Sequence, residues 1–229
     1  MILWHRAIEK VKKSILSLST IVEEQLNRAM LSLERKDVEL ANETIKRDKE
    51  IDDLEIFVEE ECLKILALYQ PVAEELRFLV AVLKMNNDLE RIGDLAANIA
   101  KRTLSLTKFK NTEIIAEFKN IGEKVKIMVK RSIDALITTD VQIAKIVLES
   151  DDEIDMMTKQ MLNWLIEEIK KHPEKTKEYF QIRSISKSLE RIADSATNIA
   201  EDVVYLCTGE IIRHRGEDFF SDETDQTPV

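Results

Sequence analysis

Two short stretches hold most of the chemistry that this sequence can offer. Leu89-Glu90-Arg91-Ile92-Gly93-Asp94-Leu95-Ala96-Ala97-Asn98-Ile99-Ala100 returns as Leu189-Glu190-Arg191-Ile192-Ala193-Asp194-Ser195-Ala196-Thr197-Asn198-Ile199-Ala200. Nine of the twelve positions are identical, one hundred residues apart, which signals a duplicated structural unit. Both copies preserve Glu-x-x-x-Asp-x-x-x-Asn. Four residues advance a helix by about 400°, so Glu90, Asp94 and Asn98 form one slowly drifting stripe. Glu190, Asp194 and Asn198 form its counterpart. Each stripe borders an apolar arc, so hard oxygen ligands lie at the edge of a buried face.

A second acidic row precedes each stripe. Asp48 and Asp52 lie one turn apart in the first half, as do Asp151 and Asp155 in the second. Counted from the turn at Gln70, Asp52 is 18 residues back and Glu90 is 20 forward; Asp48 is 22 back and Asp94 is 24 forward. An antiparallel hairpin with a rise of about 1.5 Å per residue brings both pairs to nearly equal heights. The second half matches in the same way about His172, Asp155 meeting Glu190 and Asp151 meeting Asp194. Four carboxylates at two adjacent levels must be solvated, protonated, paired with Lys or Arg, or bound to a cation. A metal reading predicts an all-oxygen site suited to Mg, Mn, Ca or ferric iron. Glu55 and Glu59 extend the first row, but Thr158 and Leu162 replace them in the second, so the two sites need not be equal.

The elements that position these rows are helices. Gly 4, Pro 3, 34% charged residues and 5% aromatics among 229 residues favour long charged helices over sheets and tight turns. Periods of three and four dominate, and no alternating run reads as a strand. The spacing predicts a helix over about 3–34, whose core stripe is Ile8, Val11, Ile15, Leu18, Val22, Leu26, Ala29 and Leu33. Asp37 should cap a second helix that ends before Gln70-Pro71, and a third runs from about Val72 to Leu106. Asn111 or Thr112 should cap a fourth reaching Ile137. A fifth opens at Asp140 and runs toward His172-Pro173, and a sixth carries the Glu190 stripe to about Cys207. The fold class is all-α: two tandem pseudo-symmetric antiparallel three-helix bundles, at 1–108 and 109–215. An acidic segment over 216–229 is expected to be disordered. Met156, Met157 and Met161 are expected to fill core space.

A formal net charge of −10 argues against nucleic acid as a partner. Cys62 and Cys207 are no disulfide framework. No stretch reads as a signal peptide or as a span inserted in a membrane, so the expected location is cytoplasmic. His5, His172 and His214 do not follow a Glu by three residues, unlike the Glu-x-x-His of di-iron bundles. There is neither a Gly-rich phosphate cradle nor a nucleophile–base pair.

The doubled Leu-Glu-Arg-Ile-x-Asp-x-Ala-x-Asn-Ile-Ala, with Ala67-Leu68-Tyr69-Gln70-Pro71 before the first copy, resembles the PhoU family of phosphate-transport and phosphate-signalling regulators. The likeness spans about residues 3–214. It implies two pseudo-symmetric three-helix bundles, a homodimer, and multinuclear metal sites holding Fe, Mn, Mg, Zn or Ca. Carried over by position, the ligands are Glu90, Asp94, Glu190 and Asp194, faced by Asp48, Asp52, Asp151 and Asp155. The resemblance further implies a non-enzymatic negative regulator of phosphate uptake and of the starvation response. It would be an adaptor between the phosphate ABC transporter ATPase and a sensor histidine kinase. Ser195 stands where the family's second motif commonly carries His, and the acidic tail exceeds the usual ending. Two other readings are a carboxylate-bridged metalloenzyme (phosphohydrolase or oxidase) and a metal-free helical interaction module.

Overall fold

The structure, a computed structural model, describes residues 2–109 and 116–212. Seven α-helices follow in order: α1 Ile2–Arg35, α2 Val38–Tyr69, α3 Ala73–Leu106, α4 Ala116–Thr138, α5 Val141–Glu149, α6 Asp151–Lys171 and α7 Thr176–Thr208. A single 3₁₀ turn, Pro173–Lys175, joins α6 to α7. No strand occurs among the described residues, and no helix there is long and apolar enough to cross a membrane. The expected cap at Asn111 or Thr112 and the expected disorder of 216–229 fall outside the described residues.

The first bundle forms as its sequence dictates. Asp37 adopts an extended backbone and its carboxylate accepts the Leu40 amide at 2.9 Å, capping α2. Gln70 closes α2 in the left-handed conformation, φ 47°. The α1 stripe from Val11 to Leu33 is buried as its period requires. Trp4 packs edge-on against Tyr69 at 5.4 Å, holding the start of α1 to the end of α2.

The second half departs from the expected plan at one place. A single fifth helix is replaced by α5 and α6, broken at Ser150. The Ser150 amide reaches back to Val147 in a tighter turn, and its hydroxyl donates to the Ile146 carbonyl at 2.6 Å. Ser150 itself keeps right-handed helical dihedrals, φ −84° and ψ −12°, so α6 opens at Asp151 directly behind it. Asp140 caps α5 through the Gln142 and Ile143 amides. Of the three methionines, Met161 is buried and Met157 packs at the core edge, but Met156 is 53% exposed. One residue on a helix turns about 100°, which carries Met156 off the buried arc.

The two bundles join through α3 and α7, which form the most extensive interface in the molecule. Lys84 meets Asp202 at 2.9 Å, Asp88 accepts from Asn198 at 3.0 Å, and Arg102 donates to Gln181. Those pairings run in opposite directions along the two helices, so α3 and α7 are antiparallel.

Within the first bundle Gly93 sets how closely α2 and α3 approach. A Cβ at Gly93 would lie 2.8 Å from Ile51 Cδ1 and 3.1 Å from its Cγ2. Ile51 is fully buried and flanked by Asp48 and Asp52, so this contact sits level with the acidic rows. Ala193 occupies the matching place in α7. Gly93→Ala gains helix propensity of about 1 kcal/mol but overpacks against Ile51 at a cost of about 1–3 kcal/mol. The expected net result in urea unfolding is a destabilisation of about 1 kcal/mol. Ile51→Val in the Gly93→Ala background should recover part of it; strict additivity in that double-mutant cycle would refute the contact.

Candidate metal centre

α2 and α3 deliver the first acidic cluster. Burial pushes the Asp48 carboxyl up to about 6, helped by the Asp94 charge across the hairpin and by Asp52 on its own helix. Lys101 and a hydrogen bond from Gln25 of α1 oppose this. Glu90 is pushed up to about 7, first by burial and then by Asp94, Asp52, Glu55 and Asp48. Glu55 is raised by burial, Glu59 and Asp52. The carboxylates of α2 and α3 are therefore close enough to resist each other's ionisation. Asp48 Oδ1 is buried with no hydrogen-bond partner.

α6 and α7 build the second cluster in the same way. Burial raises Asp151 to about 6, with Asp194 the largest charge acting on it and Asp155 the next, while a Thr197 hydrogen bond lowers it. Asp194 is raised by burial, Glu190 and Asp155, and lowered by Lys187 and by Arg91 from the other bundle.

The clusters differ in how much positive charge they already hold. Lys187 forms an ion pair with Glu190, whereas the position three before Glu90 is Asn87. The first row also has Glu55 where the second has Thr158, which buries its methyl and donates to the Asp155 carbonyl. The first cluster thus concentrates five acids, Asp48, Asp52, Glu55, Glu90 and Asp94, with Lys101 as the cation acting on Asp48. It carries less compensating positive charge than the second.

The two Asn residues part company. Asn98 is exposed on α3. Asn198 is half-buried and donates to Asp88 of the other bundle, so it faces the seam between bundles. Among the described residues no three acidic, His or Cys side chains converge tightly enough, as they stand, to hold one ion. Mutual repulsion spreads carboxylates in this way. The donor set itself, all oxygen with one orphaned buried atom, suits a hard cation. That ion would supply the positive charge that allows the acids to approach.

Sequence reasoning overlooked two supporting amides. Asn86 is fully buried, and its side chain donates to the Glu55 carbonyl at 2.9 Å and to the Glu55 carboxylate at 3.3 Å. Gln25, also buried, donates to the Thr44 carbonyl. Both break an otherwise apolar helical stripe, and Asn86 sits one turn before Glu90. Those were the legible signals.

A family model described as the PhoU domain matches the chain twice, at residues 15–103 and 118–203. A phosphate-specific transport system accessory protein PhoU homologue of Clostridium acetobutylicum is 36% identical over 203 residues, 88% of this chain and 93% of that one. Its namesake from Aquifex aeolicus is 36% identical over 210 residues, 92% of this chain and 95% of that one. Among solved structures, PhoU from Pseudomonas aeruginosa superposes with a TM-score of 0.88 at 34% identity, covering 90% of this chain and 100% of that one. The phosphate transport system regulatory protein PhoU from Streptococcus pneumoniae gives 0.83 at 30% identity, over 91% and 98%.

The raised carboxyls fix the sign of a pH effect. Their folded values exceed the unfolded 3.8 and 4.5, so the folded chain keeps protons that the unfolded chain has released. Without metal, stability should therefore fall as pH rises from about 4 through about 7. Glu90→Gln should raise Tm at pH 8 in chelator by roughly 2–4 °C and leave it unchanged at acid pH. Thermal unfolding monitored by circular dichroism reads both effects; a lower Tm for the variant at pH 8 would mean that Glu90 is already neutralised.

Proposed function

Because the chain belongs to the PhoU family, we propose that it is an accessory protein of a phosphate-specific transport system that binds metal at its two acidic clusters. The relatives named above carry accessory or regulatory names. On this reading the protein works in the cytoplasm as a homodimer. It represses phosphate uptake and the starvation response by bridging the transporter ATPase and a sensor histidine kinase. Asp48, Asp52, Glu90 and Asp94 hold one metal group; Asp151, Asp155, Glu190 and Asp194 hold the other. The metal supplies positive charge on an acidic surface, which would otherwise repel phosphate and acidic partner segments.

The observation that carries the metal half of this reading is the confrontation of raised carboxyls across each hairpin. Asn86 orients Glu55, and the apolar seam below excludes water from one side of the row. These residues place oxygen ligands before an ion arrives, which lowers the ordering cost of binding. The spread of the acids favours a second reading, a helical docking module that works without metal.

Elemental analysis after gentle purification, followed by calorimetric titration of the chelated protein with Mn or Mg, separates the two. The first cluster should bind more tightly. Asp48→Asn with Glu90→Gln should weaken the tighter site by at least about tenfold, or 1.4 kcal/mol. Asp151→Asn with Glu190→Gln should chiefly affect the weaker one. No metal and no heat of binding would leave the metal-free module. In cells rich in phosphate, deleting the gene should derepress phosphate uptake; unchanged uptake would remove the regulatory role.

A further inference from the structure

The seam between the bundles ends in a cleft of about 370 Å³, where the end of α3 meets the first turns of α7. Phe109 and Phe180 supply its apolar surface, and Lys108, Lys177 and Gln181 line it beside them. Phe180 is 68% exposed, whereas its neighbour Tyr179 is only 7% exposed. One residue turns a helix about 100°, so burying Tyr179 in the core directs the Phe180 ring to solvent. The cleft is separate from the acidic rows. Eleven residues lie from Asp94 to Ser105 and ten from Phe180 to Glu190, about 15 Å of helix in each case.

Charge at this cleft runs against the rest of the molecule. The chain carries a net −10, and lysines elsewhere on its surface are held by acids of their own chain. Lys10 and Lys64 meet Glu61, Lys124 meets Glu153, Lys126 meets Glu123 and Lys170 meets Glu167. No Asp or Glu lines the cleft among the described residues. Lys108 and Lys177 are exposed there and form no ion pair among those residues. Arg102, three residues before Ser105, is also exposed and donates to the neutral Gln181 side-chain oxygen at 3.3 Å. Three cations without a carboxylate therefore flank two aromatic rings.

We propose that this cleft docks an acidic segment of a partner protein. One large apolar side chain of that segment packs against Phe109 and Phe180, and its flanking carboxylates meet Lys108, Lys177 and Arg102. The rings alone would accept any apolar surface; the cations narrow the choice. A neutral or basic segment gains nothing from them. An acidic segment is repelled by the −10 surface elsewhere and attracted here, so charge selects both the occupant and its place. The apolar anchor provides the desolvated centre of the contact. The carboxylates lie at its wet rim, where ion pairs set orientation and arrival rate more than strength, and where salt weakens them.

A fluorescein-labelled Asp-Glu-Asp-Trp-Asp-Glu-Asp peptide, titrated with the full chain in chelator and read by fluorescence polarisation, tests the proposal without metal at the acidic rows. Binding should saturate, and should weaken at least about tenfold in Lys108→Glu/Lys177→Glu and in Phe180→Ser. Raising salt from about 50 to about 300 mM should weaken it about fivefold. Lys10→Glu/Lys64→Glu makes the same change in net charge near the opposite end of the 34-residue α3. That control should bind within about twofold of the parent chain, since screening confines the effect of a surface charge to its neighbourhood. Absence of saturable binding, or unchanged affinity in the two cleft variants, would overturn the proposal. Equal binding of a Lys-Lys-Lys-Trp-Lys-Lys-Lys peptide would do the same. So would a change of oligomeric state in the cleft variants without peptide, read by sedimentation, since that would assign the patch to a second copy.

Discussion

Like charges forced together by an apolar closure are the constraint on which this structure turns. The α2/α3 hairpin is drawn shut by a seam of Ile51, Val58, Cys62, Leu89, Ile92 and Ala96, all buried. At about 25 cal/mol per Å² of apolar surface, such a seam outweighs the repulsion between a few half-solvated carboxyls. The acids can relieve their repulsion only in part, by splaying their side chains along the edge. They take up protons, borrow Lys101 or Gln25, or accept a cation. The site is therefore a product of packing: the same contacts that make the bundle stable make the acidic edge unsatisfied.

Polar groups also decide how the halves join. Lys84 is held between the buried carboxylate of Asp202 and the ring of Tyr205, 5.0 Å from its centroid. Asn198 reaches Asp88, and Arg91 lowers Asp194 across the same seam. Burying a charge without its partner costs several kcal/mol, so such contacts reject other registers of α3 on α7 more strongly than they add stability. The electrostatics of the second acidic row thus depend partly on a residue of the first bundle. The two clusters are not electrically separate.

Much of this was legible in the residues. The Pro-bearing turns, the Asp37 cap and the repeated Glu-x-x-x-Asp stripe are local signals, and local signals survive folding. Nearly equal residue counts on either side of Gln70, 22 and 24, set Asp48 against Asp94, because rise per residue is constant along a helix. Contacts that depend on a further element carry no local signal. Asn198 extends the Glu190 stripe and also donates to Asp88, and the wheel of one helix cannot say which bundle its edge will meet. The break at Ser150 was missed because a serine inside a helix is common. The pairing of α3 with α7 had no signal that a single helix could display.

That break has a further effect on the second row. Asp151 stands at the opening turn of α6, with Asp152 and Glu153 beside it, whereas Asp48 lies in the interior of α2. The exposed amides of an opening turn carry about half a positive charge. One descendant of the duplication therefore stands where the main chain favours negative charge and its sibling does not, although burial and neighbouring acids still raise both to about 6. A single interrupted helix is enough to turn two copies of one motif into unequal partners.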